Sequence, residues 1–386
     1  MDADDDAERK ALFPNPALPQ QQLSPPVQVQ LPRETPSVAE IQPTIERIRG
    51  EINLDTSTVQ VLYDAYSLLI TCENQLRDNY RRQPEPQTAQ LHSSLCEYLR
   101  LLQERIQDRV PGPHQYEIIR TVKDTIYGKV KVGIHRRTQT QVALKMSNIA
   151  QIEAKHCLEN PQEEIRLMRL LNRGPGHPSV LRLLDEFRHG EFYYTILEFC
   201  SGGELFDVVA AQGRGLDLPR ARQLFTQLMS GVAFLHANDV CHLDLSLENC
   251  LLDAHGNLKI CDLGMARSIP SPPIINAGQH TPGKLTYMAP EIFARQDFNV
   301  VAADIYSCGV ILFILLTGTP PYNTPSGVDA RWTMIYSGRV AELLARWRMS
   351  HLVPDSALSL LVGMLGPPQG RPSVEDILNS SFVRGL

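Results

Sequence analysis

Three features of the sequence predict an α+β protein in which a two-lobed domain follows a helical region and a Pro/Gln-rich tail. Residues 116–199 read mainly as short strands with one helix interposed, and Val130–Val132, Val142–Leu144 and Tyr193–Leu197 are the clearest short β-branched runs. Helical patterning dominates from Leu205 onward, led by Ala221, Leu224, Phe225, Leu228, Val232 and Leu235 between Pro219 and His236. A small strand-rich half followed by a larger helical half puts a cleft between the two. Before residue 110, apolar side chains recur at three- and four-residue steps, the period of a helix face.

The N-terminal elements follow in order. Residues 1–36 hold Pro14, Pro16, Pro19, Pro25, Pro26, Pro32 and Pro36 with Gln20, Gln21 and Gln22. Such a stretch buries too little apolar surface to offset its ordering entropy, so it is predicted to be disordered. It opens on Asp2, Asp4, Asp5 and Asp6 and lacks the apolar core of a signal peptide. Residues 44–110 are predicted to be helical. Val59, Leu62, Tyr66, Leu69, Leu76 and Tyr80 form one face after an Asp55-Thr56-Ser57 start, and Leu91, Leu95, Tyr98, Leu102 and Ile106 form another. Pro84 and Pro86 separate the two, which suggests an antiparallel hairpin, and Ile45–Ile52 offers a third helix. Pro111-Gly112-Pro113 ends the region.

Composition narrows the function. The 386 residues leave room for two or three domains, and a hydrophobic content of 43% supports a substantial core. A formal charge of −6 gives no basic field for nucleic acid. The longest apolar run, Cys308–Leu316, is too short to span a bilayer. The eight cysteines are scattered singly and read as reduced thiols, which suits a cytoplasmic protein with the nucleus as alternative.

The chemistry lies in an ordered set of charged groups. Val142-Ala143-Leu144-Lys145 ends a strand with a lysine, and Glu164 follows on a helical stretch. Taken singly, each is more often a solvated surface charge. His242-Leu243-Asp244-Leu245-Ser246-Leu247-Glu248-Asn249 comes next, then Asp262-Leu263-Gly264, Ala289-Pro290-Glu291, Asp304 and Arg371. In order and spacing this set closely resembles the eukaryotic protein kinase family, serine/threonine type. Gly202-Gly203-Glu204-Leu205-Phe206-Asp207 resembles the calcium/calmodulin-dependent kinase group. The resemblance implies a two-lobe protein-kinase fold over 116–386, with an N-lobe at 116–197, a hinge at 198–201 and a C-lobe at 202–386. It implies transfer of the γ-phosphoryl of ATP, with Mg2+, to a protein hydroxyl.

The resemblance also assigns roles. Asp244 would take or steer the proton of the substrate hydroxyl, and Asn249 and Asp262 would hold magnesium. Lys145 would hold the α- and β-phosphates, positioned by Glu164. Val122, Gly128, Val130, Ala143, Leu197, Glu198, Cys200 and Leu251 would surround the nucleotide, with residues 197–200 receiving adenine. Glu204 would meet the ribose and a substrate arginine, and Glu248 is a second acid on that path, so basic residues upstream of the target hydroxyl are expected. Glu291 and Arg371 look like the family's buried ion pair. Met168, Leu183, Leu263 and His242 match its apolar spine, anchored on Asp304.

Four positions depart from the family pattern. The glycine-rich loop reads Lys123-Asp124-Thr125-Ile126-Tyr127-Gly128-Lys129-Val130, and only its third glycine is kept. Leu243 replaces the arginine that receives an activation-segment phosphate. Activity is therefore expected not to depend on Ser268, Ser271, Thr281, Thr286 or Tyr287. Ser246 stands where serine/threonine kinases carry a lysine, and Lys284 stands where they carry a threonine. A flexible ammonium can reach one spot from either backbone, so Lys284 is expected at the γ-phosphate with Ser246 as its hydrogen-bond partner. A second register, with Thr281-Pro282 as the Thr-Pro of that segment, needs three inserted residues. Two other readings stand beside catalysis. One is a pseudokinase scaffold or nucleotide-binding interaction module. The other takes residues 44–110, which faintly resemble microtubule-interacting and trafficking modules, as a partner-binding region.

Overall fold

The computed structural model describes residues 36–54, 57–82, 84–109, 111–154, 161–276 and 282–386. The predicted disordered tail up to residue 35, the helix start at Asp55-Thr56, and Thr281 lie outside these residues. The chain divides into two compact units. One runs to Arg120 and adds 133–140 and 186–194, and the other comprises 121–132, 141–185 and 195–386.

The first unit contains three helices, α1 (Val38–Glu51), α2 (Val59–Arg82) and α3 (Pro86–Arg109). Helix α1 starts six residues before the expected boundary at 44 and runs through Pro43. The Ser37 N–H and hydroxyl both donate to the Glu40 carboxylate, at 2.7 and 2.9 Å, which fixes the earlier start. Pro43 is the sixth residue of this helix and forgoes the one bond its N–H would have made to the Ala39 carbonyl. Ile41, Ile45 and Ile48 pack with Leu62, Ala65, Leu69, Cys72 and Leu76 of α2 and Leu95, Leu99, Leu102 and Ile106 of α3. The α2 seam therefore steps by three and four through two small residues, Ala65 and Cys72, whereas Tyr80 is exposed. Arg49 ties α1 to α3 by donating to Ser94 Oγ at 3.1 Å and lying over the Tyr98 ring, 5.0 Å from its centroid. In the same unit Tyr116, Phe187 and Tyr194 stack in sequence, with centroids 6.1 and 4.9 Å apart.

Strands β1 (Tyr116–Thr125), β2 (Gly128–His135), β3 (Thr140–Asn148), β4 (Leu183–His189) and β5 (Phe192–Glu198) form a sheet in the order β1-β2-β3-β5-β4. Helices α4 (Ile149–Ala154) and α5 (Pro161–Leu171) separate β3 from β4. Gly128 is required by this sheet itself, because a Cβ there would lie 2.0 Å from the Met146 carbonyl of β3.

The second unit continues through β6 (Gly203–Glu204), α6 (Leu205–Gln212), α7 (Leu218–Ala237), β7 (Val240–Cys241), β8 (Cys250–Leu252), β9 (Leu258–Ile260) and β10 (Arg267–Ser268). Then come β11 (Ile274–Ile275), α8 (Pro290–Phe293), β12 (Phe298–Asn299), α9 (Val300–Thr317) and shorter helices to Arg384. Asp217 caps α7 through the Arg220 N–H, and the α7 face named above is wholly buried. Helix α9 is apolar all round. At 18 residues it is long and apolar enough to cross a membrane, unlike the run Cys308–Leu316 taken alone, yet 89% of it is buried as the core helix of this unit. The β-sheet, the larger set of helices after it and the preceding helices match the α+β class that the sequence predicts. Seven described cysteines are free thiols.

Candidate active site

The site grows from the turn after β7. Asp304, near the start of α9 and 1% exposed, accepts the His242 N–H at 2.9 Å, the Leu243 N–H at 2.8 Å and His236 Nε2 at 2.9 Å. These bonds hold Leu243 in left-handed backbone (φ +62°), a conformation that a branched side chain adopts only when its surroundings impose it. The strained turn aims the next residue, Asp244, at the cleft. His242, Met168 and Leu263 are buried, and Leu183 packs partly buried on the same core.

Lys145, on β3, donates to both Glu164 oxygens, at 2.6 and 2.9 Å, and its Nζ lies 3.7 Å from Asp262 Oδ1. Helix α5 presents Glu164 inward. Burial pushes its carboxyl up, and the Lys145 ammonium pulls it back. Asp262 is itself in left-handed backbone (φ +64°) and accepts the Gly264 N–H at 3.3 Å. The Lys145 ammonium holds its carboxyl below the usual range against the cost of burial. A lysine is thus shared by a buried glutamate and an aspartate open to the cleft.

The Asn249 side-chain amide donates to the Asp244 carbonyl and to Asp244 Oδ2, both at 2.8 Å. Burial raises the Asp244 carboxyl, opposed by His242, Lys284 and Asn249. From the other side the Lys284 N–H donates to Asp244 Oδ1 at 3.0 Å, and its ammonium donates to Ser246 Oγ at 2.9 Å. Lys284 Nζ also lies 3.3 Å from Glu248 Oε1. Gly283 makes this approach feasible. It takes φ +94°, and a Cβ there would stand 2.8 Å from the Leu243 carbonyl oxygen. The Ser307 hydroxyl of α9 donates to the Tyr287 carbonyl at 2.8 Å and anchors the far side of the turn.

The remaining candidates fall into place around this cluster. The β6–β8 and β8–β9 registers set Glu204 and Lys259 against Leu251. Leu197 and Cys200 are buried, Ala143 and Leu251 pack on the core, Val130 is half-buried and Val122 is half-exposed. Glu198 turns its carboxylate to Lys259, at 2.9 and 3.0 Å, and to the Arg182 N–H at 2.8 Å. What it offers a ligand is therefore its main chain. Glu204 receives Lys123 at 3.2 Å. The ion pairs Glu198–Lys259 and Glu204–Lys123, and the steric role of Gly283, were missed by sequence reasoning. Only the glycine carried a readable signal, its place immediately before Lys284.

The other family landmarks are structural. Arg371, its side chain 1% exposed, donates to Glu291 at 2.5 and 2.9 Å, to the Ala302 carbonyl at 3.0 Å and to the Gly366 carbonyl at 3.1 Å. Among the activation-segment hydroxyls, Tyr287 is buried. Ser268 is exposed and accepts from Arg166 at 2.7 Å, but that guanidinium is already bidentate to Glu163 at 2.6 and 2.7 Å.

Comparison with known proteins agrees with this geometry. Residues 116–383 match the protein kinase domain family. The chain is 32% identical over 274 residues to CBL-interacting serine/threonine-protein kinase 26 of Arabidopsis thaliana, and 34% identical over 272 residues to CBL-interacting protein kinase 8 of Oryza sativa subsp. japonica. Each match covers 70% of this chain, and 59% and 57% of the respective relative. It is 37% identical over 209 residues to CBL-interacting serine/threonine-protein kinase 8 of Arabidopsis thaliana, covering 54% of this chain and 45% of that protein. The chain thus spans less than two thirds of the length of these relatives. With its landmarks in place and more than half of its length matched, the chain belongs to the protein kinase domain family.

Proposed function

We propose that this chain is a protein serine/threonine kinase that transfers the γ-phosphoryl group of MgATP to a protein hydroxyl. In this reading Lys284 of the activation segment supplies the cation that the family usually places two residues after the catalytic aspartate. The contact of Lys284 Nζ with Ser246 Oγ at 2.9 Å carries the reading, because it sets an ammonium beside the position the missing side chain would occupy. The serine/threonine relatives support the reaction class.

The residues fit the magnesium ions this reaction uses. The Asn249 amide nitrogen is turned to Asp244, so its carbonyl oxygen is the atom left for a hard cation, beside the anionic Asp262. When bound, magnesium neutralises charge on the transferring phosphates. Asp244 orients the attacking hydroxyl. The hydroxyl oxygen forms the new bond to the γ-phosphorus as the bond to the β–γ bridging oxygen breaks, and the hydroxyl proton passes to the Asp244 carboxylate. Lys145, fixed by Glu164, holds the α- and β-phosphates, and Lys284 stabilises charge on the γ-phosphoryl oxygens. Adenine stacks among Ala143, Leu197 and Leu251 and bonds the main chain of 198–200.

Glu204 and Glu248 already face Lys123 and Lys284. A substrate arginine must displace a lysine there, so the expected preference for upstream basic residues is small, at most about fivefold, the worth of one exposed ion pair. The proposal is tested by phosphotransfer from ATP with magnesium to a peptide library, comparing wild type with Asp244→Asn. Transfer by the wild type and its loss in the variant are expected. Equal signals would contradict catalysis by this chain and favour the scaffold reading.

A further inference from the structure

The helical unit carries a cluster that phosphoryl transfer does not use. Glu73 projects from α2, and His92 and Cys96 project from one face of α3 at the four-residue spacing that stacks side chains on a helix. His92 Nε2 lies 2.8 Å from Glu73 Oε1 and 3.8 Å from Cys96 Sγ, and the three donor atoms fall within 4.8 Å of one another. We propose that Glu73, His92 and Cys96 form a zinc site that clips α2 to α3, with its fourth position open to solvent or an external ligand.

The donor chemistry selects the ion. One thiolate, one imidazole and one carboxylate form a borderline-soft set that suits zinc and excludes magnesium and calcium, which take oxygen. Zinc bonds of about 2.0–2.3 Å place tetrahedral donors roughly 3.3–3.7 Å apart, so rotation of these side chains suffices to bring them into place. Arg77 Nη1 lies 3.8 Å from the other Glu73 oxygen, Oε2, and leaves Oε1 to the metal in a monodentate mode. Glu73 and His92 are half-buried and Cys96 is exposed, so an ion can enter from solvent. The plainer alternative is a His92–Glu73 hydrogen bond across the hairpin with an incidental thiol one turn on. That arrangement predicts no dependence of metal binding on Cys96.

Calorimetric titration of the full chain with Zn2+ is expected to show one site that excess Mg2+ does not displace. His92→Ala and Cys96→Ser should each weaken it by at least about tenfold, the lower end of the loss seen when even an outer partner of a ligand is removed. At one fixed zinc concentration the thermal unfolding temperature should rise more in the wild type than in either variant. Co2+ should give a thiolate-to-metal charge-transfer band that Cys96→Ser removes, and circular dichroism will show whether the variants keep their helices. Undiminished zinc affinity in both variants, a cobalt band that survives loss of Cys96, or the absence of saturable binding would each overturn the proposal. A Glu73→Gln variant, which keeps the side chain's shape, gives the same reading without disturbing packing.

Discussion

The Lys284 ammonium donates to Ser246 Oγ at 2.9 Å, across a sequence separation of 38 residues. In the family pattern the lysine sits on the catalytic loop and the hydroxyl on the activation segment. Here each stands on the other's backbone, and the pair still meets. The Lys284 main chain is at the same time bonded to Asp244, so the ammonium and the candidate base are placed by one residue.

Gly283→Ala should abolish this placement. The added methyl meets the Leu243 carbonyl oxygen at 2.8 Å, and the left-handed backbone itself costs an L-residue about 1–2 kcal/mol. Phosphotransfer is expected to fall by at least about tenfold, with a loss in stability of the same ~1–2 kcal/mol, measured by a peptide kinase assay and by denaturant unfolding. Unchanged values in both would show that the segment does not need this close approach.

The pH profile should report Lys284. Burial raises the Asp244 carboxyl, and Lys284 is among the charges that oppose the rise. In the proposed mechanism Asp244 works as the carboxylate, so activity is lost as pH falls through its pKa. Lys284→Met removes a stabilising cation, the pKa rises further, and the acid limb of kcat/KM for the residual activity should move to higher pH. An acid limb that stays in place would place Lys284 outside the field of Asp244.

Arg371→Ala leaves Glu291 as a buried, unpaired charge beneath the activation segment. A loss of about 3–5 kcal/mol in unfolding free energy is expected, the range for breaking a buried pair by removing one partner. Chemical denaturation measures it, and a loss of under 1 kcal/mol would mean that solvent reaches Glu291.

Lys123 stands where the family carries a glycine, and it bonds Glu204 at 3.2 Å. Lys123→Gly should let the β1–β2 turn close on phosphates and lower KM for ATP by up to about tenfold, with kcat within about twofold. A rise in KM would instead make Lys123 a nucleotide ligand.

Much of this site was legible because kinase chemistry fixes residue types at short, constant offsets. Asp244 and Asn249 lie five apart on one loop, and the sequence order of Lys145, Glu164 and Asp262 carries the rest. The Lys284–Ser246 pair was readable from two complementary substitutions. Glu204–Lys123 and Glu198–Lys259 were not, since they join residues 81 and 61 apart on strands of two different sheets, whose proximity depends on tertiary packing rather than on any local pattern. In the helical unit, large apolar residues revealed α2 and α3, but the small residues Ala65 and Cys72 completed the packed seam without standing out. The start of α1 lies earlier than expected because the Ser37–Glu40 cap, upstream of Pro43, begins the helix.

The most direct test is a charge relocation measured by steady-state phosphotransfer. Lys284→Thr alone is expected to lower kcat by about 10²–10³-fold, the cost of removing one preorganised charge from the reacting group. The double variant Ser246→Lys with Lys284→Thr, which returns both groups to the family arrangement, should recover most of that loss. Full activity in Lys284→Thr, or no recovery in the double variant, would contradict the account.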